Sequence, residues 1–206
     1  VKGYYFITDS RLSIHGDLYD VTAACRAGVE IIQYRQKHET AGEFFTHALE
    51  LKKLCKNSIF IINDRLDIAL AVDADGIHIG QDDLPLTVVR KLMGPDKIVG
   101  VTVHSLEEAV EAQAYGASYL AVSPVFATGT KNDAGAPCGP ELIQKVRAAC
   151  SLPIAAIGGL TMENAAGVIR AGADMFCAIS AVVTSEDVSE RIKRFQELYN
   201  DTINKR

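Results

Sequence analysis

An α/β architecture, a single-domain (β/α)8 barrel of the TIM type spanning 1–206, is predicted by three features of the chain. Eight short β-rich runs recur at regular intervals across all 206 residues. Most are continuously apolar instead of alternating, which suits parallel strands covered on both faces. Stretches with helical spacing lie between them, and about 26 residues per unit is room for a strand, a helix and two short loops. Alternation of this kind requires a parallel sheet, and eight units favour closure. An open doubly wound sheet would carry a glycine-rich fingerprint after its first strand. That position here reads Thr8-Asp9-Ser10.

The first run, 4–8, holds Tyr4, Tyr5, Phe6 and Ile7, and the second, 29–34, holds Val29, Ile31, Ile32 and Tyr34. Such β-branched and aromatic residues fit a pleated surface. The third, 58–63, is Ile59-Phe-Ile-Ile62 with polar ends, and the fourth, 75–79, contains Ile77 and Ile79. Strand five is placed at 97–102. Behind it, 105–115 reads as a helix, because Ser105 is followed three residues on by Glu108 in a capping-box pattern. Its Leu106, Ala109, Val110 and Ala114 share one helical face. Strand six is placed at 118–123 and strand seven at 153–157. A helix over 161–171 follows, with Glu163 and Asn164 outward and Ala165, Val168 and Ile169 inward. The last run, 174–179, carries Met175, Phe176 and Ile179. Gly28, Gly116 and Gly172 each stand just past a predicted helix and just before a strand, the place of a left-handed C-cap.

Hydrophobic residues make up 48% of the chain and charged residues 23%, ordinary usage for a folded domain. The formal net charge is −5, the wrong sign for a nucleic-acid binder. No apolar run approaches the roughly 20 residues that span a bilayer. The first nine residues lack the basic-then-apolar order of a signal peptide, and a cytoplasmic location is the expectation. The five cysteines are scattered and form no C-x-x-C pair, so neither a disulfide framework nor a structural zinc site is expected. Cys25, Cys150 and Cys177 lie in apolar or alanine-rich runs and read as small hydrophobes. Cys138, in a Gly/Pro-rich loop, is a candidate exposed thiol without an identifiable activating base. Helix-face patterning leaves a homo-oligomer open.

Barrel chemistry gathers at the carboxyl ends of the strands, and here those ends are polar. Strand two ends Gln33-Tyr34-Arg35-Gln36-Lys37, and period-2 alternation points Gln33, Arg35 and Lys37 the same way. One amide and two cations on one side suit a polyanion such as a diphosphate. Strand three ends Asn63-Asp64, and strand four leads into Gly80-Gln81-Asp82-Asp83. Carboxylates at adjacent strand ends suit a hard divalent cation, which takes oxygen ligands. Asp82 and Asp83 fit equally well as N-caps of a helix starting near Leu84 and Pro85. Strand five leads into Thr102-Val103-His104, where His104 is either an acid–base group or a satisfied residue at a helix start. Thr128-Gly129-Thr130-Lys131 follows strand six and opens a glycine-rich stretch, an anion-binding loop with the character of a lid over 127–139. Gly158-Gly159 after strand seven, with Ile179-Ser180 after strand eight, matches the recurrent phosphate site of barrels.

The ordered set Gln33-x-Arg35-x-Lys37, Asn63-Asp64, Asp75-Gly-Ile-His-Ile-Gly-Gln-Asp-Asp83, Thr128-x-Thr130-Lys131, Ala156-Ile-Gly-Gly159 and Ala178-Ile-Ser-Ala181 resembles the thiamine-phosphate synthase family and its relatives, the TenI-type thiazole tautomerases. The resemblance covers essentially the whole chain. It implies a transferase that joins hydroxymethylpyrimidine diphosphate to hydroxyethylthiazole phosphate, releasing pyrophosphate by a dissociative route. By the same resemblance Gln33, Tyr34, Arg35, Gln36, Lys37, Asn63, Thr102 and Lys131 would hold the pyrimidine diphosphate, with Arg35, Lys37 and Lys131 serving catalysis. Thr128, Gly129, Thr130, Gly159, Ile179 and Ser180 would bind the thiazole phosphate, and Asp64 and Asp83 would ligate one Mg²⁺.

Departures from the family pattern keep two other readings open. Thr102 stands where serine is common, Ser123 where glycine is common, and Cys138 where an aliphatic residue is frequent. Val103-His104-Ser105 looks more like the tautomerase version, in which His104 would move protons. A non-catalytic thiazole-phosphate-binding regulator is the third reading. An isomerase that handles thiazole phosphate alone has no use for a metal–diphosphate site, which favours the synthase.

Overall fold

A computed structural model describes residues 1–130 and 135–205. Eight strands form one closed parallel barrel in chain order. They are β1 (Gly3–Ile7), β2 (Ile31–Tyr34), β3 (Ile59–Asn63), β4 (Gly76–Ile79), β5 (Ile98–Val103), β6 (Tyr119–Val122), β7 (Ile154–Ile157) and β8 (Met175–Cys177). Helices α1 (Asp17–Arg26), α2 (Ala41–Leu54), α3 (Leu66–Ala71), α4 (Leu86–Met93), α5 (Leu106–Ala114), α6 (Gly139–Ala149) and α7 (Ala165–Ala171) follow the first seven strands. After β8 come a five-residue helix, α8 (Ile179–Val183), and the long closing helix α9 (Val188–Asn204). No helix among the described residues is long and apolar enough to cross a membrane.

Continuous apolar strands work because each has two dry faces, and the core divides accordingly. Phe6, Ile32, Phe60, Ile62 and Phe176 pack outward against the helices. Tyr5, Ile31, Ile61, Tyr119, Met175 and Cys177 fill the barrel itself. On the outer side α9 lays Phe195 on Tyr4 and Phe176, with ring centroids 5.5 and 5.8 Å apart. Burying rings of this size contributes roughly 2–3 kcal/mol each. On the inner side Gly100 pairs with His78 on one neighbouring strand and Tyr119 on the other. A Cβ at residue 100 would lie 2.0 Å from the Tyr119 ring. Glycine is there because the tyrosine occupies its space.

Local signals differ from expectation in three places. Ser105 caps α5 by accepting the Glu108 N–H, but the Glu108 carboxylate takes the N–H of His104, one residue earlier than a capping box requires. The segment 161–164 is a turn, with the Asn164 side chain accepting the Thr161 N–H, so α7 starts only at Ala165. Strand β8 stops at Cys177, and Ile179 begins α8 instead of ending the strand. Positive φ at Gly28, Gly116 and Gly172 matches the predicted C-caps.

Candidate active site

The carboxyl ends of the strands surround a cavity of about 200 Å³. Its floor is the top interior layer of the barrel, where Ile7 pairs with Gln33, Asn63 with His78, and Ile157 with Cys177.

At the end of β2 and just past it, Gln33, Arg35 and Lys37 line the cavity. The Gln33 amide donates to the Tyr5 hydroxyl at 2.5 Å. Thr8 grips the Arg35 backbone from both sides, its hydroxyl accepting the N–H at 2.9 Å and donating to the carbonyl at 3.2 Å. The Arg35 guanidinium donates at 2.9 Å to Asp9, which is 1% exposed. Lys37 pairs with Asp64. Tyr34 and Gln36, the alternate residues, face elsewhere. Tyr34 is buried edge-on against Phe44 and donates to Glu39; burial and that carboxylate push its pKa up. Gln36 accepts the N–H groups of Lys37 and His38, shaping the loop behind the cavity. Neither side chain lines the cavity, so the structure separates these two from the other residues expected there.

Asp64 sits just past β3 in the left-handed region at φ +59, and its N–H donates to the His78 carbonyl at 2.8 Å. A non-glycine residue there stores local strain of order 1–3 kcal/mol, a common trait of functional positions. Asp83 does not cap α4, whose N-terminal residue before the first turn is Pro85 with no side-chain cap. Its carboxylate turns back to accept the Gly80 N–H at 2.7 Å. Burial raises the Asp83 pKa, and the Asp64 carboxylate raises it further. A carboxyl group whose ionisation is opposed by a neighbouring carboxylate makes, with that neighbour, a fitting pair of oxygen donors for a divalent cation. Among the described residues no group of three or more His, Cys, Asp or Glu side chains gathers to hold a metal. Two carboxylates are a number that Mg²⁺ commonly takes from a protein when substrate phosphate and water complete its shell.

A chain of hydrogen bonds runs beneath the cavity. Gln33 reaches Tyr5, Tyr5 and Tyr119 share their hydroxyls at 2.8 Å, and Tyr119 meets Nδ1 of His78 at 2.9 Å. Nε2 of His78 meets the Thr102 hydroxyl at 2.8 Å. Each position of Gln33, His78 and Thr102 is thereby set by its neighbours. Nearby, Nδ1 of the exposed His104 lies 2.5 Å from the Ser123 carbonyl, which assigns its proton to Nδ1 and leaves Nε2 as the acceptor in the neutral ring.

On the far side, Thr128, Thr130, Gly159, Ile179 and Ser180 all line the cavity. Gly158 and Gly159 have φ +103 and +63. Added Cβ atoms there would lie 2.8 Å from Pro124 and 2.4 Å from the Ala127 carbonyl. The glycine pair is thus required by the loop after β6 that packs on it. Gly129 is exposed and outside the lining. Lys131 and part of the 127–139 loop lie outside the described residues. Cys138 is half-buried at the start of α6 and absent from the lining, and burial raises its thiol pKa.

Comparison with known proteins decides the family. The thiamine monophosphate synthase family (TMP-TENI) matches residues 4–182. The chain belongs to this family. It is 49% identical over 200 residues to the thiamine-phosphate synthase of Methanosarcina barkeri, covering 97% of this chain and 91% of that one. It is 45% identical over 202 residues to that of Chloroflexus aurantiacus, covering 96% and 93%. Among solved structures, the thiamine phosphate pyrophosphorylase of Pyrococcus furiosus superposes with a TM-score of 0.90 at 35% identity, covering 98% and 96%.

Several residues of the site were not singled out by sequence reasoning. His78 and Gln81 line the cavity and Asp9 stands behind Arg35, and the Gln81 amide donates to the Thr102 carbonyl at 2.6 Å. His78 and Gln81 lie within the run from Asp75 to Asp83 that carries the family resemblance, and Asp9 lies in the Thr8-Asp9-Ser10 stretch after the first strand. Position at or just past a strand's carboxyl end was the available signal. What it lacked was the partner: Arg35 for Asp9, Tyr119 and Thr102 for His78.

Proposed function

We propose that this chain is a Mg²⁺-dependent thiamine-phosphate synthase, joining 4-amino-5-hydroxymethyl-2-methylpyrimidine diphosphate to hydroxyethylthiazole phosphate. The single observation that carries the reading is that two anion-suited regions open into one cavity. Arg35 and Lys37, beside Asp64 and Asp83, form one region; the Thr128–Thr130 turn, Gly159 and the start of α8 form the other. An enzyme that handles one phosphorylated ligand needs only one of them.

In this reading the carbon–oxygen bond at the pyrimidine methylene breaks, and its electron pair leaves with pyrophosphate. The thiazole nitrogen then supplies the pair for the new carbon–nitrogen bond. Such chemistry asks for neutralised leaving-group charge and oriented partners more than for a strong base. Arg35, held by Asp9, and Lys37 would bind the diphosphate, and Lys131 joins them on resemblance alone. Asp64 and Asp83 would hold the divalent cation, which when bound neutralises charge on the departing diphosphate. Gln33, Asn63 and Thr102 present an amide, an amide and a hydroxyl on the cavity floor to orient the pyrimidine. The first amides of α8 have no partner within the helix and, with the Ser180 hydroxyl and the two threonines, would receive the thiazole phosphate.

The test is a coupling assay with purified chain and both substrates, Mg²⁺ present or chelated, with product oxidised to fluorescent thiochrome. Mg²⁺-dependent multiple turnover is expected, and Asp64→Asn should lower it by about 100-fold or more, the scale of losing a charge-stabilising group. Folded protein that forms no product overturns the reading, and turnover indifferent to chelation removes the metal from it.

A further inference from the structure

The face of the barrel opposite the cavity carries a pair of thiols. Cys25 lies in the last turn of α1 and Cys55 caps the C-terminus of α2, so both stand at the amino-terminal ends of the strands. Thirty residues separate them in the chain, yet their sulfurs share a contact of 3.9 Å. All five cysteines are free in this structure. Cys55 is buried and Cys25 only partly so, which makes Cys25 the more accessible residue of the pair.

We propose that Cys25 and Cys55 form an oxidisable dithiol that reacts with small-molecule disulfides to give an intramolecular disulfide stapling α1 to α2. The exchange balances without a cofactor. The Cys25 thiolate attacks one sulfur of the reagent, forming a mixed disulfide and expelling one equivalent of thiol. Cys55 then loses its proton and attacks the Cys25 sulfur, expelling the second equivalent. The protein gives up two electrons and two protons, and the reagent's disulfide becomes two thiols.

The geometry suits both steps. A side-chain rotation must close the gap from 3.9 Å to the roughly 2 Å of a covalent bond, with no need to bring distant segments together. The backbone on both sides is anchored. The Gly28 N–H donates to the Cys25 carbonyl at 3.0 Å, and the Ser58 N–H to the Cys55 carbonyl at 3.2 Å. Ser58 in turn donates its hydroxyl to the Val29 carbonyl at 2.6 Å, tying the two loops to each other. Charge follows the same asymmetry. The Cys55 thiol beside it pulls the Cys25 thiol down to about 7 against the opposing effect of burial, whereas the same pairing and burial push Cys55 up. Helix C-termini disfavour a thiolate at either residue, so it is the difference in burial, Cys25 partly open and Cys55 buried, that makes Cys25 the attacking group. The other three cysteines lack this arrangement: Cys150 and Cys177 are buried, and burial raises the thiol pKa of all three.

The experiment uses the full reduced chain, incubated without denaturant with oxidised glutathione at about pH 8, where the attacking thiol is ionised. It is followed by thiol titration and by mass spectrometry of a non-reduced digest. The expected result is loss of two of the five thiols, a cross-linked peptide joining Cys25 to Cys55, and no retained glutathione. Closing a loop of this length should raise Tm by roughly 5–10 °C. C55S should stop at a glutathione adduct on Cys25, and C25S should give neither adduct nor cross-link at this pair. Because the staple lies on the face away from the cavity, oxidation should leave turnover within about twofold. Wild-type protein that keeps all its thiols, a cross-link to a different cysteine, or a stable glutathione adduct on wild-type Cys25 would each overturn the proposal.

Discussion

Replacing Asp9 with asparagine tests how the site holds its arginine. Asp9 is 1% exposed and the Arg35 side chain 13% exposed, with 2.9 Å between the carboxylate and the guanidinium. The substituted amide would keep the shape and one oxygen but lose the charge. A hydrogen bond between charged groups contributes about 1.5–3 kcal/mol. At about 1.4 kcal/mol per decade, its loss from the oriented state lowers kcat/KM roughly 10- to 100-fold. Deeply buried pairs cost about 3–5 kcal/mol of stability when one partner is removed. Arg35 opens on the cavity and can recover water, so a smaller loss of about 1–2 kcal/mol is expected here. The thiochrome assay gives kcat/KM for each chain, and urea unfolding gives the stability. If the folded Asp9→Asn chain kept kcat/KM within twofold, Asp9 would not be positioning Arg35, and the argument from that contact would fall.

Two further outcomes follow from the same geometry. Burial, with Asp20 close by, pushes the Asp17 pKa up to about 7. Unfolded, it lies near 4, so the folded chain binds the proton more tightly and loses stability as pH rises from about 4 to 7. Asp17→Asn should flatten that window and leave the variant about 1–2 kcal/mol more stable than the parent at pH 8, relative to pH 4, after allowance for partial exposure. Urea melts across pH measure this, and a pH-independent difference would contradict it. His104→Ala should lower synthase turnover less than tenfold, because His104 is an exposed residue at the rim with its Nδ1 bound to Ser123. Complete loss would instead favour proton transfer by this ring, as in a tautomerase.

Much of the barrel was legible in the chain because its signals are local. Parallel strands with two dry faces must be apolar at every position, and runs such as Ile59-Phe-Ile-Ile62 show it directly. The left-handed residue that ends a helix is needed whatever the helix packs on, so Gly28, Gly116 and Gly172 were readable. Alternation also pointed Gln33, Arg35 and Lys37 the same way, and in the structure all three line the cavity. The same rule places Tyr34 and Gln36 on the other side, where the family resemblance had assigned them to substrate. Capping was less secure. Asp82 and Asp83 matched a helix start, but Asp83 found a better donor in Gly80, because the chain turns before α4 begins.

By itself the sequence determined the order of the elements, the family, and which strand ends carry charge, since each depends on residue type and spacing along the chain. Closure decided the rest. Tyr5 and Tyr119 are 114 residues apart and share their hydroxyls only because the barrel brings β1 across from β6. Asp9 becomes the holder of Arg35, Asp64 the neighbour of Asp83, and Cys25 the partner of Cys55 for the same reason. Contacts between strand ends and helix ends depend on register and on the angle at which strands wrap the barrel axis. Those quantities are set by all eight strands packing together, and no single segment encodes them.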